Sequence, residues 1–176
     1  MDKSPLRYTD EKDRSYGLTG MTISMVVWDG EDMLSAVNID NAPGQGLEVT
    51  PEFHFRGNPR MSARIAWHQL IKQFELDTAM LLGNAYCRSY VGGQRTLSAQ
   101  VTALLRALVR DEGRSLCELD DDEISHIYDK TSLYLERLFT HSGVAAIAHD
   151  FAEALRRQRR LSAAEALERL SALNGL

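Results

Sequence analysis

The sequence predicts an α+β fold, in which an N-terminal three-stranded antiparallel β-meander packs against a C-terminal bundle of about five helices. Residues 21–57 are rich in strand formers and turn residues. Residues 58–176 instead carry apolar residues at helical spacing, punctuated by helix caps. A length of 176 residues suits one domain. We therefore expect residues 21–176 to form a single α+β domain.

The first 20 residues are polar, contain Pro5, Gly17 and Gly20, and have no apolar periodicity. Such a composition is typical of poorly ordered termini. We expect residues 1–20 to form a flexible N-terminal tail.

Residues 21–39 have the pattern of a β-hairpin, because strand formers lie on both sides of Asp29-Gly30. The register stays open. A two-residue loop pairs Met25 with Leu34, whereas a four-residue loop pairs Trp28 with Met33, and a one-residue slip reverses every side chain. Residues 47–55 then alternate apolar and polar, with a proline at position 51 that favours an edge or bulged strand.

Residues 58–91 predict a long central helix with an unusually broad apolar stripe. Asn58 is a suitable N-cap, and Pro59 fits the first helical position. Gly83-Asn84 either kinks this helix or marks a close approach to a neighbour. Four shorter helices follow. The first spans residues 96–112 and ends at Gly113, and the next begins at the Asp120/Glu123 capping box and ends at Ser142-Gly143. Another ends in an arginine run, and the last begins at the Ser162/Glu165 capping box.

Charge and composition exclude several classes of protein. The net charge of -5 argues against a general nucleic-acid binder. The two cysteines, Cys87 and Cys117, lack the spacing of a metal finger or a disulfide framework. No apolar run is long enough for a membrane span, and the N-terminus lacks an apolar signal core. We expect a cytoplasmic protein with no membrane partner.

Motifs that signal catalysis or phosphate binding are missing: G-x-S-x-G, G-x-x-x-x-G-K-[ST] and G-x-G-x-x-G do not occur. No two histidines stand at i and i+4, and the acidic run 120–123 is better explained by helix capping than by a cation. Cys87 lies among apolar and aromatic residues, which favours a packed thiol over a reactive one. We therefore predict no catalytic residue, no metal site and no cofactor.

Two candidate sites remain as alternatives. The run at residues 156–160 supplies a basic cluster for phosphate contacts, although cations also stabilise a helix C-terminus without any ligand. Aromatic residues on the predicted sheet and long helix either form core or line a ligand pocket between them. The candidate nucleic-acid residues are Arg156, Arg157, Arg159 and Arg160, and the candidate pocket residues are His54, His68, Trp67 and Phe55.

The leading functional expectation is a non-enzymatic protein–protein interaction module that self-associates, as a dimer. A small sheet leaves an outer face and edges that a second copy or another protein can cover. The first alternative is a nucleic-acid-binding accessory protein that uses the basic cluster, which the acidic charge does not favour. The second is a small-ligand binder or enzyme with a pocket between the sheet and the long helix.

Overall fold

The computed structural model describes residues 6–54 and 62–176, and these form six α-helices and one three-stranded antiparallel sheet. The α+β class with a helical bundle is therefore confirmed, while the assignment of one domain stays a prediction. The helices are α1 (Glu11–Val27), α2 (Ala63–Tyr86), α3 (Ala99–Cys117), α4 (Asp121–Thr140), α5 (Ser142–Gln158) and α6 (Ala163–Leu170), and the strands are β1 (Leu34–Asn38), β2 (Leu47–Val49) and β3 (Arg160–Ser162).

Helix α1 corrects two predictions, because it takes residues 11–20 out of the tail and residues 21–27 out of the hairpin. Asp10 caps it by accepting a hydrogen bond from the Asp13 amide. The helix is buried on every side over much of its length, so it has no polar stripe by which it could be recognised. Two of its buried hydroxyls are satisfied locally, because Thr19 and Thr22 donate to the carbonyls of Ser15 and Leu18.

The Asp29-Gly30 turn ends α1 and does not join two strands. The Gly30 amide donates to the Met25 carbonyl and the Asp29 amide to the Val26 carbonyl, which is the pattern of a Schellman motif. Asp29 adopts the left-handed conformation, with φ of 55°. Both a helix stop and a tight hairpin need positive φ, so this dipeptide in the sequence is compatible with either structure.

The sheet is not a sequential meander, because its strand order is β2-β1-β3 and β3 comes from the C-terminal part of the chain. The hairpin that does form joins β1 to β2, with Val37 opposite Leu47. Beyond β2, residues Pro51–His54 form a short 3₁₀ helix where strand was predicted. Ala36 and Val37 face opposite sides of the central strand and are both inaccessible to solvent, so both faces are covered at these positions, whereas Ser35 is exposed.

The long helix is confirmed in its middle and at its end. It continues through Gly83 without a break and passes into a π-helical turn, Cys87–Gly92. Ser62 caps its start, and the predicted start at Asn58 and Pro59 lies outside the described residues.

Two of the predicted helix caps are confirmed and one predicted stop is wrong. Asp120 and Ser162 both form complete capping boxes. Gly113 lies inside α3 and does not end it. A Cβ atom at this position would stand 2.8 Å from Ile124 and 2.9 Å from Phe74. The glycine is required by packing between helices, which a chain-local pattern does not reveal.

Helices α1 and α2 cross at two glycines, Gly20 and Gly83. A Cβ atom on Gly20 would lie 2.1 Å from the Gly83 carbonyl oxygen, and one on Gly83 would lie 1.9 Å from Ser24 Oγ. The two backbones are therefore too close to leave room for a side chain at either position, and glycine is needed on both helices at this crossing.

We expect Gly83→Ala to lower the free energy of unfolding, by about 1–3 kcal/mol, because the added methyl group overpacks the crossing. Alanine otherwise favours a helix over glycine by about 1 kcal/mol, so the sign of the change reports the clash. Denaturant unfolding of the purified variant measures this difference.

Gly175→Ala is the matched control, since a Cβ atom there meets nothing within 4 Å. It should leave stability close to that of the wild type. A Gly83→Ala variant as stable as the wild type would show that the helices do not cross this closely.

Candidate functional site

A cleft of about 1400 Å³ lies between α2 and the β1–β2 hairpin. Its floor is apolar and includes Met21, Leu47, Phe53, Met80 and Leu81. Polar and charged side chains line its rim. The sequence left a pocket between sheet and long helix open as an alternative to plain core, and in the structure α1 rather than a strand supplies part of the wall of this cleft.

Of the residues predicted to line this pocket, only His54 is found there. Its ring is exposed and contacts the Phe53 ring edge-on, with centroids 5.3 Å apart. His68 and Trp67 lie on the exposed first turns of α2 and are not among the residues that line this cleft. Phe55 lies outside the described residues.

Trp67 is exposed for a geometric reason. It is seven residues from Phe74 and so shares the packed face of α2. However, Cys117, the last residue of α3, donates its thiol hydrogen to the Leu70 carbonyl at 3.7 Å. Helix α2 therefore extends beyond the end of α3, and Trp67 remains 41% exposed.

Residues 6–9, which we term the N-terminal strap, close one end of the cleft. All four also line a second cavity, of about 570 Å³, on the other side. The strap therefore separates two cavities that lie along α2 and its π-helical extension.

Arg88, on the π-helical turn, holds the strap in place. Its guanidinium donates to the carbonyl oxygens of Leu6 and Arg7, each at 2.9 Å, and lies 4.9 Å from the centroid of the Tyr8 ring. It also makes two hydrogen bonds to the Asp13 carboxylate, at 2.8 and 2.7 Å. A bidentate pair of this kind needs the planar guanidinium of arginine.

The Arg88–Asp13 pair is largely buried, with side chains 11% and 18% exposed. Burial by itself would raise the pKa of Asp13, but hydrogen bonds from Arg88 and Thr9 outweigh it and lower that pKa. A carboxyl group with a lowered pKa in the folded state stabilises the fold above its unfolded pKa. This contribution is lost as the pH falls through the folded pKa.

Cys87 directly precedes Arg88 on the π-helical turn. Cys87 is completely buried, and burial raises the pKa of its thiol far above the usual range, which favours the packed thiol that the sequence predicts. Across residues 6–54 and 62–176, no group of three or more His, Cys, Asp or Glu side chains is arranged to hold a metal ion. None of the described helices combines the length and the apolar character that a membrane span requires.

The C-terminal arginines attach the end of α5 to the rest of the fold. Arg159 lies 2.8 Å from Glu11 and 2.5 Å from Asp40, and its hydrogen bonds lower the pKa of Asp40. Arg160 lies 2.7 Å from Glu48, across the sheet. These contacts join α1, the hairpin and β3, so both side chains already have anionic partners.

The other two arginines of the run lie on the last turn of α5. Arg157 contacts Glu153 one turn earlier, at 3.2 Å, with both side chains well exposed. Arg156 is half-buried, and its Nε has no hydrogen-bond partner among the described residues. The four side chains therefore do not present one free basic surface.

A second candidate site lies on the side of α4, around an aromatic pair. Trp28, at the C-cap of α1, contacts the Tyr134 ring edge-on, with centroids 5.2 Å apart. A groove of about 570 Å³ lies on one side of this pair and a hollow of about 250 Å³ on the other. We term the two together the Trp28–Tyr134 surface. Leu133, which lines the hollow, is 52% exposed.

No protein-family model matches the chain, and no curated protein or solved structure is significantly similar to it. Functional conclusions therefore depend on the residues and their geometry.

Sequence reasoning missed the role of Arg88 and the Trp28–Tyr134 surface. Both depend on α1, which places Asp13 near its start and Trp28 at its end. Arg88 and Asp13 are 75 residues apart, so no local spacing connects them. A signal in the sequence was the pair Asp10 and Asp13, whose spacing is compatible with a helix start.

We expect Arg88→Met to release the N-terminal strap, because the strap carbonyls and Asp13 lose their donor. Removing one partner of a buried ion pair costs about 3–5 kcal/mol of folding free energy. Trypsin should then cleave after Arg7 much faster than in the wild type, which mass spectrometry of the product beginning at Tyr8 measures.

Arg110→Met serves as the control, since Arg110 is exposed on α3 and makes no ion pair with another described residue. The stability difference between wild type and Arg88→Met should be largest at neutral pH and should shrink as acid protonates Asp13. Equal rates of cleavage after Arg7 in the wild type and in Arg88→Met would contradict the assigned role of Arg88.

Proposed function

We propose that this protein is a non-enzymatic interaction module that self-associates. The observation that carries the proposal is the distribution of exposed apolar side chains. Six of the seven large hydrophobic side chains found exposed in the described part of the chain lie on α2, α3 and α4. They are Ile65, Trp67, Leu108, Leu116, Leu133 and Tyr134.

This concentration is informative because single exposed apolar residues are normal, whereas larger exposed apolar patches are typical of interaction sites. Helix α2 packs against both α3 and α4, and those two pack against each other, so the six residues lie on a cluster of three neighbouring helices. Aromatic residues such as Trp67 and Tyr134 are also the type enriched at protein interfaces.

The support differs from that expected from the sequence. The sheet was expected to need cover from a second copy, but Ala36 and Val37, on opposite faces of β1, are both buried within the chain. The edge strands β2 and β3 have three residues each, and short edge strands discourage strand pairing between molecules. The cluster of α2, α3 and α4 is therefore the better candidate for the interface.

A cytoplasmic location remains part of the proposal. It is supported by Cys87 and Cys117, which are free, buried thiols, as is usual in a reducing compartment.

The wild-type protein should behave as a dimer in native mass spectrometry and in light scattering at tens of micromolar. The exposed apolar side chains on α2, α3 and α4 supply the driving force for dimerisation, because their burial removes apolar surface from water. Strictly monomeric protein at that concentration would contradict self-association, and a retained small molecule in the spectrum would favour the next candidate instead.

A second candidate function is supported by the cleft. A concave site with an apolar floor and a polar rim is the usual form of a small-molecule site, and at about 1400 Å³ it is larger than most. A nucleic-acid-binding function has less support, because Arg157, Arg159 and Arg160 already contact carboxylates.

For the ligand candidate, a thermal-shift screen of the wild-type protein should find a compound that raises the melting temperature. The shift should shrink in His54→Ala and persist in His68→Ala, since His54 lines the cleft and His68 does not. Equal losses in the two variants, or no shift with any compound, would count against a ligand in the cleft.

A further inference from the structure

We infer that the Trp28–Tyr134 surface binds the same surface of a second copy of this chain, in a two-fold contact that pairs opposite charges. The inference rests on the proposed self-association and assigns it a place and a geometry. Two observations support it: the centre of the surface is apolar, and charged side chains surround that centre.

The centre of the surface has the properties of an interface anchor. Trp28 and Tyr134 line both the groove and the hollow, so a partner that enters either depression contacts the same aromatic pair. Leu133 and Ile127 border the hollow, and Leu76 and Met33 border the groove. Aromatic side chains that adjoin pockets are the residues that contribute most to protein–protein affinity.

Charged side chains of both signs surround this centre in equal number, three carboxylates and three cations. None of the six forms an ion pair with another described residue. The seven ion pairs of the described chain are all made elsewhere. The six residues are Asp29, Glu52, Glu75, Lys72, Lys130 and Arg137.

This balance of charge favours a second copy over an unrelated partner. In a two-fold contact, residue i of one copy meets residue j of the other, and residue j meets residue i. A surface with equal numbers of unpaired cations and carboxylates can then satisfy every charge against itself. A partner of one sign would leave half of these charges facing a like charge, which is costly.

The experiment uses two charge-reversed variants of the full chain. The acidic variant carries Lys72→Glu, Lys130→Glu and Arg137→Glu. The basic variant carries Glu52→Lys and Glu75→Lys and keeps Asp29, whose φ of 55° suits Asp better than Lys. Of the five changed residues, four are exposed and Glu75 is half-buried, so both variants should fold, which thermal unfolding verifies.

Each variant alone should self-associate at least about tenfold more weakly than the wild type, because like charges now face each other across the two-fold axis. Mixing the two variants should restore association, as a heterodimer that native mass spectrometry distinguishes by mass. Lys12→Glu, Arg110→Glu and Arg169→Glu together make a matched control with the same change of net charge as the acidic variant. These three cations are exposed and lie outside the surface, so the control should dimerise like the wild type.

The outcomes separate the two proposals. A monomeric wild type overturns self-association and this inference together. A dimeric wild type whose two variants also dimerise normally overturns only the inference, and the interface then lies elsewhere. Variants that dissociate but do not form the heterodimer overturn the charge pairing with a second copy.

Discussion

The crossing of α1 and α2 at Gly20 and Gly83 is the constraint on which the rest of the structure depends. With no side chain at either position, the two backbones come into direct contact, and a methyl group at either one has no space. Close packing of this kind gains many dispersion contacts. Because α1 also packs against α5, and α2 against α3 and α4, every other helix but α6 is positioned by one member of this pair.

Both candidate sites lie at the ends of α1. At its start, Asp13 accepts the Arg88 guanidinium, which holds the N-terminal strap between two cavities. At its other end, the Schellman motif ends the helix at Trp28 and turns the ring against Tyr134. Helix α1 therefore does more than fill the core, since its length sets the distance between the strap and the proposed interface.

The sheet has a connecting role, and its third strand explains the arginine run. After α5 the chain returns to pair β3 with β1, and this return places Arg159 beside Glu11 and Asp40 and Arg160 beside Glu48. The cations thus stabilise contacts between the two ends of the chain. Two arginines of a basic run that resembles a phosphate site in sequence therefore form ion pairs within the protein.

The sequence by itself determined the elements whose signals are local: the amphipathic helices α3 to α6, the capping boxes at Asp120 and Ser162, and the strands β1 and β2. Only the tertiary structure decided the state of residues 11–27, because Gly20 and the β-branched residues weaken a helix except where a partner such as Gly83 packs against it. It also decided the pairing of β3 and of Arg88 with Asp13, since contacts between residues so distant in the chain leave no periodic trace.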